Sequence, residues 1–363
     1  MSDKHYLVSG HTAKGYINLF CSNLEPLHKL YILIGGPGTG NLNFMKRIAS
    51  RLEELEVSVE YLHSPSAPEA LEGLLFPELG MGIVDGSLPH MLEARAPGAI
   101  EEYINLGEAW DTEKLAEYTD QILELKSGMR ENYEKAYAAF AGGLKVHDEW
   151  EKIYIGNMDF KKADELTEFL IPTLLGSTKL EKAPRVKHRF FGGSTPYGPM
   201  DFVDNITDPM ATRYFIKGRP GSGKSTMLKK LLEAAKELGL DVEVYHCGFD
   251  PDSLDMLLFP ELSLCIFDST SPHEYYPSRE GDLMIDLYDE LITEGTDDLY
   301  AEELAEIASR YKAFTKEGTA YLAAAKDYLG ALEQLYYEAT DFGVIDNKWN
   351  ELYYKITNFH PSV

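Results

Sequence analysis

Gly218, Gly223, Lys224 and Ser225 follow one another as Gly-x4-Gly-Lys-Ser within the stretch "GRPGSGKST", residues 218–226. Each residue type has a physical use at that spacing. Gly218, Pro220, Gly221, Ser222 and Gly223 give a turn whose successive backbone N–H groups can face the oxygens of a phosphate, and Lys224, Ser225 and Thr226 open a helix whose positive end points the same way. The lysine then neutralises the outer phosphates, and the serine hydroxyl is the expected magnesium ligand. The expected ligands are a nucleoside triphosphate and Mg2+. ATP is the default, since the chain has no Asn-Lys-x-Asp pattern for reading guanine.

Asp268 closes the apolar run "LCIF", and the resemblance of the chain to P-loop proteins implies that it is a second holder of magnesium at the tip of a strand. His273 and Glu274 follow in "DSTSPHEYYP". There Glu274 can orient an attacking group and His273 can sense the terminal phosphate, or His273 can pack the turn. "HCGFDPDSLD", residues 246–255, has two readings. His246, Asp250 and Asp255 can hold an acceptor, or Asp-Pro-Asp-Ser can start and cap a short helix. Arg219 and Arg279 are further candidates for contacting phosphate.

The elements that must position these groups occur twice. Displaced by 183 positions, residues 31–90 align with 214–273 without a gap, and about 23 of the 60 pairs are identical. "LLFPEL" recurs whole, His63 meets His246, and Asp85 meets Asp268. The echo continues at an offset of 182, where "MDF" at 158–160 meets "TDF" at 340–342. In the earlier copy, "GGPGTGNLN", Asn41 stands for the lysine and Leu42 for the serine. The turn is kept while the cation and the metal ligand are lost, so the first copy is expected not to catalyse and to be structural or regulatory.

Each copy reads as strand, glycine loop, helix, strand, short helix and strand, followed by a long helical stretch. Leu115, Tyr118, Ile122, Leu125, Met129, Tyr133 and Phe140 recur at steps of three and four, and "AEELAEIASRYKAF" repeats the pattern. The expected fold class is α/β: two tandem units, each a parallel sheet flanked by helices and ending in a helical subdomain. The units are 1–183 and 184–363, with subdomains at about 100–175 and about 282–356.

The second unit resembles the P-loop nucleoside triphosphatases. The doubled layout, with "FPEL" and Asp-x-[Ser/Thr]-x-Pro-His, resembles a bacterial tandem P-loop family described only as ATPases or nucleotide kinases. The resemblance implies Mg-dependent ATP binding and hydrolysis by the second unit. Two alternatives stay open, a small-molecule or nucleotide kinase and a nucleotide-sensing interaction module.

A formal net charge of −26 argues against broad contact with nucleic acid or an anionic membrane. The start of the chain has no secretory pattern, and no apolar run is long enough to span a bilayer, so a cytoplasmic location is expected. Cys21, Cys247 and Cys265 lack metal or disulfide spacing. The internal repeat suits either a monomer built as a pseudo-dimer or a homodimer, with an unknown acceptor or protein partner.

Overall fold

Tyr31, Ile32 and Leu33, and later Phe215 and Ile216, are apolar at consecutive positions, the pattern of a strand covered on both faces. In the computed structural model of the chain both runs are buried strands. The structure describes residues 3–25, 27–87, 92–271 and 274–359.

The first half begins with β1 (Lys4–Leu7), β2 (Ser9–Thr12), β3 (Gly15–Asn18), α1 (Phe20–Leu24), β4 (Lys29–Ile34) and α2 (Asn41–Glu53). It continues with β5 (Glu60–His63), β6 (Leu71–Phe76), β7 (Met81–Asp85), β8 (Glu101–Asn105), α3 (Thr112–Glu117), α4 (Thr119–Gly156) and α5 (Phe160–Leu175). The second half opens with β9 (Val186–Phe190), β10 (Gly192–Thr195), β11 (Gly198–Asp201), α6 (Val203–Thr207), β12 (Thr212–Lys217) and α7 (Lys224–Glu237). There follow β13 (Val242–His246), β14 (Leu254–Phe259), β15 (Leu264–Asp268), β16 (Asp282–Asp286), α8 (Leu287–Leu291), α9 (Thr296–Leu299), α10 (Ala301–Glu338) and α11 (Phe342–Thr357).

Twelve strands form one mixed, mostly parallel sheet in the order β16-β12-β15-β14-β13-β9-β1-β5-β6-β7-β4-β8. Read outward from the β9–β1 junction, each half shows the same order. The junction is antiparallel and pairs Leu7 with Phe190, residues 183 apart, so a pseudo-twofold axis passes through it. β2, β3, β10 and β11 form a separate four-stranded sheet that also spans both halves. The strands of the two halves are thus joined into one sheet.

The helices follow a less obvious rule. The core on one face of the first half's strands contains Phe44, Met45 and Ile48 of α2, and also Ile345, Trp349, Leu352 and Ile356 of α11 from the far end of the chain. The matching core of the second half contains Leu228 and Leu231 of α7, together with Leu170, Leu174 and Leu175 of α5. Each half therefore covers its sheet with a helix carried by the other half. The long helices α4 and α10 make this exchange possible by packing side by side, with glycines seating aromatic rings. A Cβ on Gly318 would stand 2.2 Å from the ring of Phe140, and one on Gly142 would stand 2.6 Å from Phe314.

Three expectations are corrected. The connection read as a short helix between strands is the antiparallel strand β6 or β14 followed by one 3-10 turn at Pro77–Leu79 or Pro260–Leu262. "LDMLLF" is almost wholly buried within the sheet, and β-pairing satisfies its backbone there better than an isolated turn of helix would. Residues 101–105 and 282–286, placed at the start of the helical subdomains, are strands β8 and β16. They are edge strands with half-exposed, acidic residues, so they lack the apolar run that marks a central strand. Asp-Pro-Asp-Ser at 250–253 is a turn leading into β14 rather than the start of a helix.

Candidate functional site

β12 ends at Lys217 and α7 begins at Lys224, so the glycine loop spans the gap between a central strand and a helix. Gly221 and Gly223 have φ of +75° and +88°, a region side chains disfavour, and this explains why glycine stands at both positions. Gly38 and Gly40 of the first half repeat the conformation at +76° and +90°. Gly218 is also constrained, since a Cβ there would lie 2.4 Å from Ser222 Oγ.

Lys224 occupies the first position of α7, a cation at the positive end of a helix, which costs roughly 0.3–1 kcal/mol without a compensating anion. Its ammonium donates to Arg219 O at 3.0 Å and lies 3.5 Å from Asp268 Oδ2. Asp268 sits at the end of β15, beside β12, and its Oδ1 accepts from Thr270 N at 2.9 Å. Ser225 Oγ accepts from Leu254 N at 3.0 Å. Ser222 is 1% exposed, and among the described residues its buried hydroxyl has no hydrogen-bond partner, a polar atom available to a ligand. Thr226 is exposed and Pro220 partly so. A hydroxyl, a carboxylate and an ammonium thus converge on one loop at the ends of adjacent strands.

In the first half, Asn41 Nδ2 donates to Asp85 Oδ2 at 3.0 Å, in the place of the Lys224–Asp268 pair. Leu42 packs partly buried against the core of that half. The first loop thus keeps the positive-φ glycines of the second, with a neutral amide where the second has an ammonium.

Glu274 is exposed and lines a cavity of about 300 Å3 beside the loop, with Lys217, Gly218, Arg219, Thr270, Tyr276 and Asp286 among its walls. His273 lies outside the described residues. Arg219 is paired to Asp297 at 2.8 Å and laid over the Tyr288 ring at 4.9 Å. Arg279 spends its guanidinium on the carbonyls of Thr207, Asp208 and Met210, so it anchors a turn and is not poised at the loop.

The stretch 246–255 is similarly committed. His246 Nδ1 donates to Pro251 O at 2.8 Å, which leaves Nε2 to accept from His188 Nδ1 at 2.9 Å. Asp250 accepts from Ser253 Oγ at 2.9 Å and pairs with Lys14 of the first half at 3.1 Å. Asp255 raises the proton affinity of Cys247, whose thiol burial already holds protonated.

The groups that sequence reasoning missed come from the other half. α4 lies across the second loop so closely that a Cβ on Gly221 would stand 2.6 Å from Glu151 O. One turn earlier, His147 Nδ1 lies 3.8 Å from Glu151 Oε1. Burial lowers the proton affinity of His147 and Lys224 adds to this, while Glu151, Asp148 and Asp250 oppose it. Tyr154 donates to Asp297 at 2.8 Å, the carboxylate that holds Arg219. A histidine four residues before a glutamate on one helix face was the available signal, but nothing in the sequence assigned that face to a loop 70 residues away.

Compared with protein-family models, with curated proteins and with solved structures, the chain finds no match. Among the described residues, no helix is long and apolar enough to cross a membrane.

Proposed function

We propose that the chain is a tandem pair of P-loop units in which the second binds and hydrolyses ATP with magnesium, while the first is a structural or regulatory copy. The observation that carries this reading is the placement of Lys224: a lysine at a helix start, after a positive-φ glycine loop, facing an aspartate at the tip of the neighbouring strand. That arrangement is unfavourable for helix stability alone and suits a bound polyphosphate.

Ser225 and Asp268 are the groups that would hold magnesium, and the orphaned Ser222 hydroxyl fits a ligand oxygen inside the loop. When bound, the ion would neutralise phosphate charge. Hydrolysis is favoured over transfer to a small acceptor, because His246 and Asp250 are already engaged with protein partners.

The test is the shift in unfolding free energy with ATP, ADP and GTP, with and without magnesium, in the native chain and in Lys224→Ala. A ligand at a hundred times its Kd adds about 2.7 kcal/mol. The reading expects a magnesium-dependent ATP shift that disappears in Lys224→Ala, with ADP formed from ATP by the native chain. Equal shifts in both proteins would overturn it.

A further inference from the structure

The face of α4 that crosses the second loop carries His147, Glu151 and Tyr154, one turn apart. The face of α10 that crosses the first loop carries their counterparts at the offset of 182: Leu329, Glu333 and Tyr336. The two placements correspond, since a Cβ on Gly38 would meet Glu333 O as one on Gly221 meets Glu151 O, and a Cβ on Gly36 would meet the Tyr336 ring at 3.4 Å. The glutamate and the tyrosine are thus present over both loops. The histidine is present only over the loop that keeps its lysine and serine, and so is Asp148, whose counterpart is Gly330. Because the helices are exchanged, His147 lies in the half of the chain that lacks those residues. Its type follows the loop it covers and not the half that encodes it.

His147 is 28% exposed and is held between Glu151 on its own helix and the ring of Tyr311 on α10, 5.9 Å away. The other groups facing it are Asp148 on α4, Lys224 at the start of α7 and Asp250 in the turn after β13. A neutral imidazole with one nitrogen 3.8 Å from a carboxylate oxygen, and with no hydrogen bond to the other among the described residues, is placed as a general base is.

We propose that His147, oriented by Glu151, is the proton acceptor for phosphoryl transfer at the second loop. This rests on the reading of that loop as an ATP site. The oxygen of water bonds to the terminal phosphorus as the bond from that phosphorus to the bridging oxygen breaks. ADP leaves with that oxygen's electron pair, and the proton of the attacking water passes to Nε2 of His147 and from there to solvent. The site is incomplete without the first half, which accounts for the retention of a half whose own loop lacks the lysine.

The experiment compares native protein, His147→Gln and Glu151→Gln in equilibrium binding of Mg·ATP and in single-turnover ADP formation across pH. In His147→Gln, binding is expected to change less than about threefold while turnover falls by roughly 10²–10⁴-fold. The native rate should fall as pH drops and His147 is protonated, and that acid limb should vanish in His147→Gln. Native-like turnover in the variant, or an acid limb that persists, would overturn the proposal. Histidine NMR decides it independently of turnover: the His147 titration should move to higher pH with a non-hydrolysable ATP analogue and magnesium, and not with ADP. The same movement with ADP would overturn it, and so would movement with Mg2+ or Zn2+ alone, which would make His147, Asp148 and Glu151 a metal site. Undiminished nucleotide binding in Lys224→Ala would instead overturn the assignment of the loop itself.

Discussion

Tyr6 and Arg189, 183 residues apart, each precede the Leu7–Phe190 pair and meet at the centre of the sheet with the guanidinium 3.7 Å from the ring centroid. Arg189 is fully buried, and its nitrogens bond Glu243 at 2.9 Å, Glu60 at 3.1 Å and Asn23 at 3.0 Å. One arginine, with Lys4 also paired to Glu243, thus answers two largely buried carboxylates 183 residues apart at the seam between the halves. Burial raises the proton affinity of Glu60 and Glu243, but the charge of Arg189, with that of Lys4, outweighs it and keeps both ionised. Arg189→Met should lower the unfolding free energy by about 3 kcal/mol, because it leaves Glu60 and Glu243 with Lys4 as the cation paired at the seam. Urea denaturation measures this, and a loss under 1 kcal/mol would show that the network holds little.

The exchange of helices predicts that damage to α11 appears in the distant half of the chain. Trp349 is 7% exposed and packs in the core of the first half's strands. Trp349→Ala should cost about 3–5 kcal/mol. By hydrogen exchange the loss should appear in β4, β6 and β7, while β12 and β15 keep their protection. Exchange confined to the second half would contradict the assignment.

Gly221 combines a positive φ with the close approach of Glu151. Gly221→Ala should destabilise the chain by about 1–3 kcal/mol through strain at that φ. Gly330, inside α10, has open space at its Cβ position, so Gly330→Ala should be neutral or stabilising by up to about 1 kcal/mol. Thermal unfolding of the two variants checks the contrast.

The paired histidines predict acid sensitivity. His63 Nε2 lies 2.8 Å from His5 Nδ1, and burial, reinforced by His5, brings the His63 pKa down from 6.5 to about 4. A histidine with a lowered folded pKa contributes stability that is fully present above the unfolded value and is lost as pH falls from about 6.5 toward 4. The contribution from this residue is about 3 kcal/mol. In His63→Gln the stability curve should be flatter over that window by this amount, and an unchanged slope would place the effect elsewhere.

Much of this fold was legible in the sequence, for identifiable reasons. The turn from Gly218 to Gly223 and the helix start at Lys224 could be read because glycine best suits the positive φ at 221 and 223, and the structure brings Lys224 within 3.5 Å of Asp268. The long helices could be read because Leu115, Ile122 and Tyr133 recur at helical spacing over many turns. β8 and β16 could not, since "EEYIN" and "DLMID" are short, acidic edge strands whose burial comes from one neighbour only. β14 looked like a connection because the pattern in "DPDSLD" that favours a capped helix also makes a tight turn. The exchange of α5 and α11 was invisible for a deeper reason: an apolar stripe such as Leu170, Leu174 and Leu175 states that it must be covered, not by which sheet. His147 was missed on the same account.

The most direct test of the central claim is the stoichiometry of Mg·ATP binding at equilibrium in the native chain, in Lys224→Ala and in Asn41→Ala. One nucleotide per chain, lost in Lys224→Ala and kept in Asn41→Ala, is the predicted result. Two nucleotides per chain, or binding that survives Lys224→Ala and disappears in Asn41→Ala, would contradict the assignment of a single working loop to the second half.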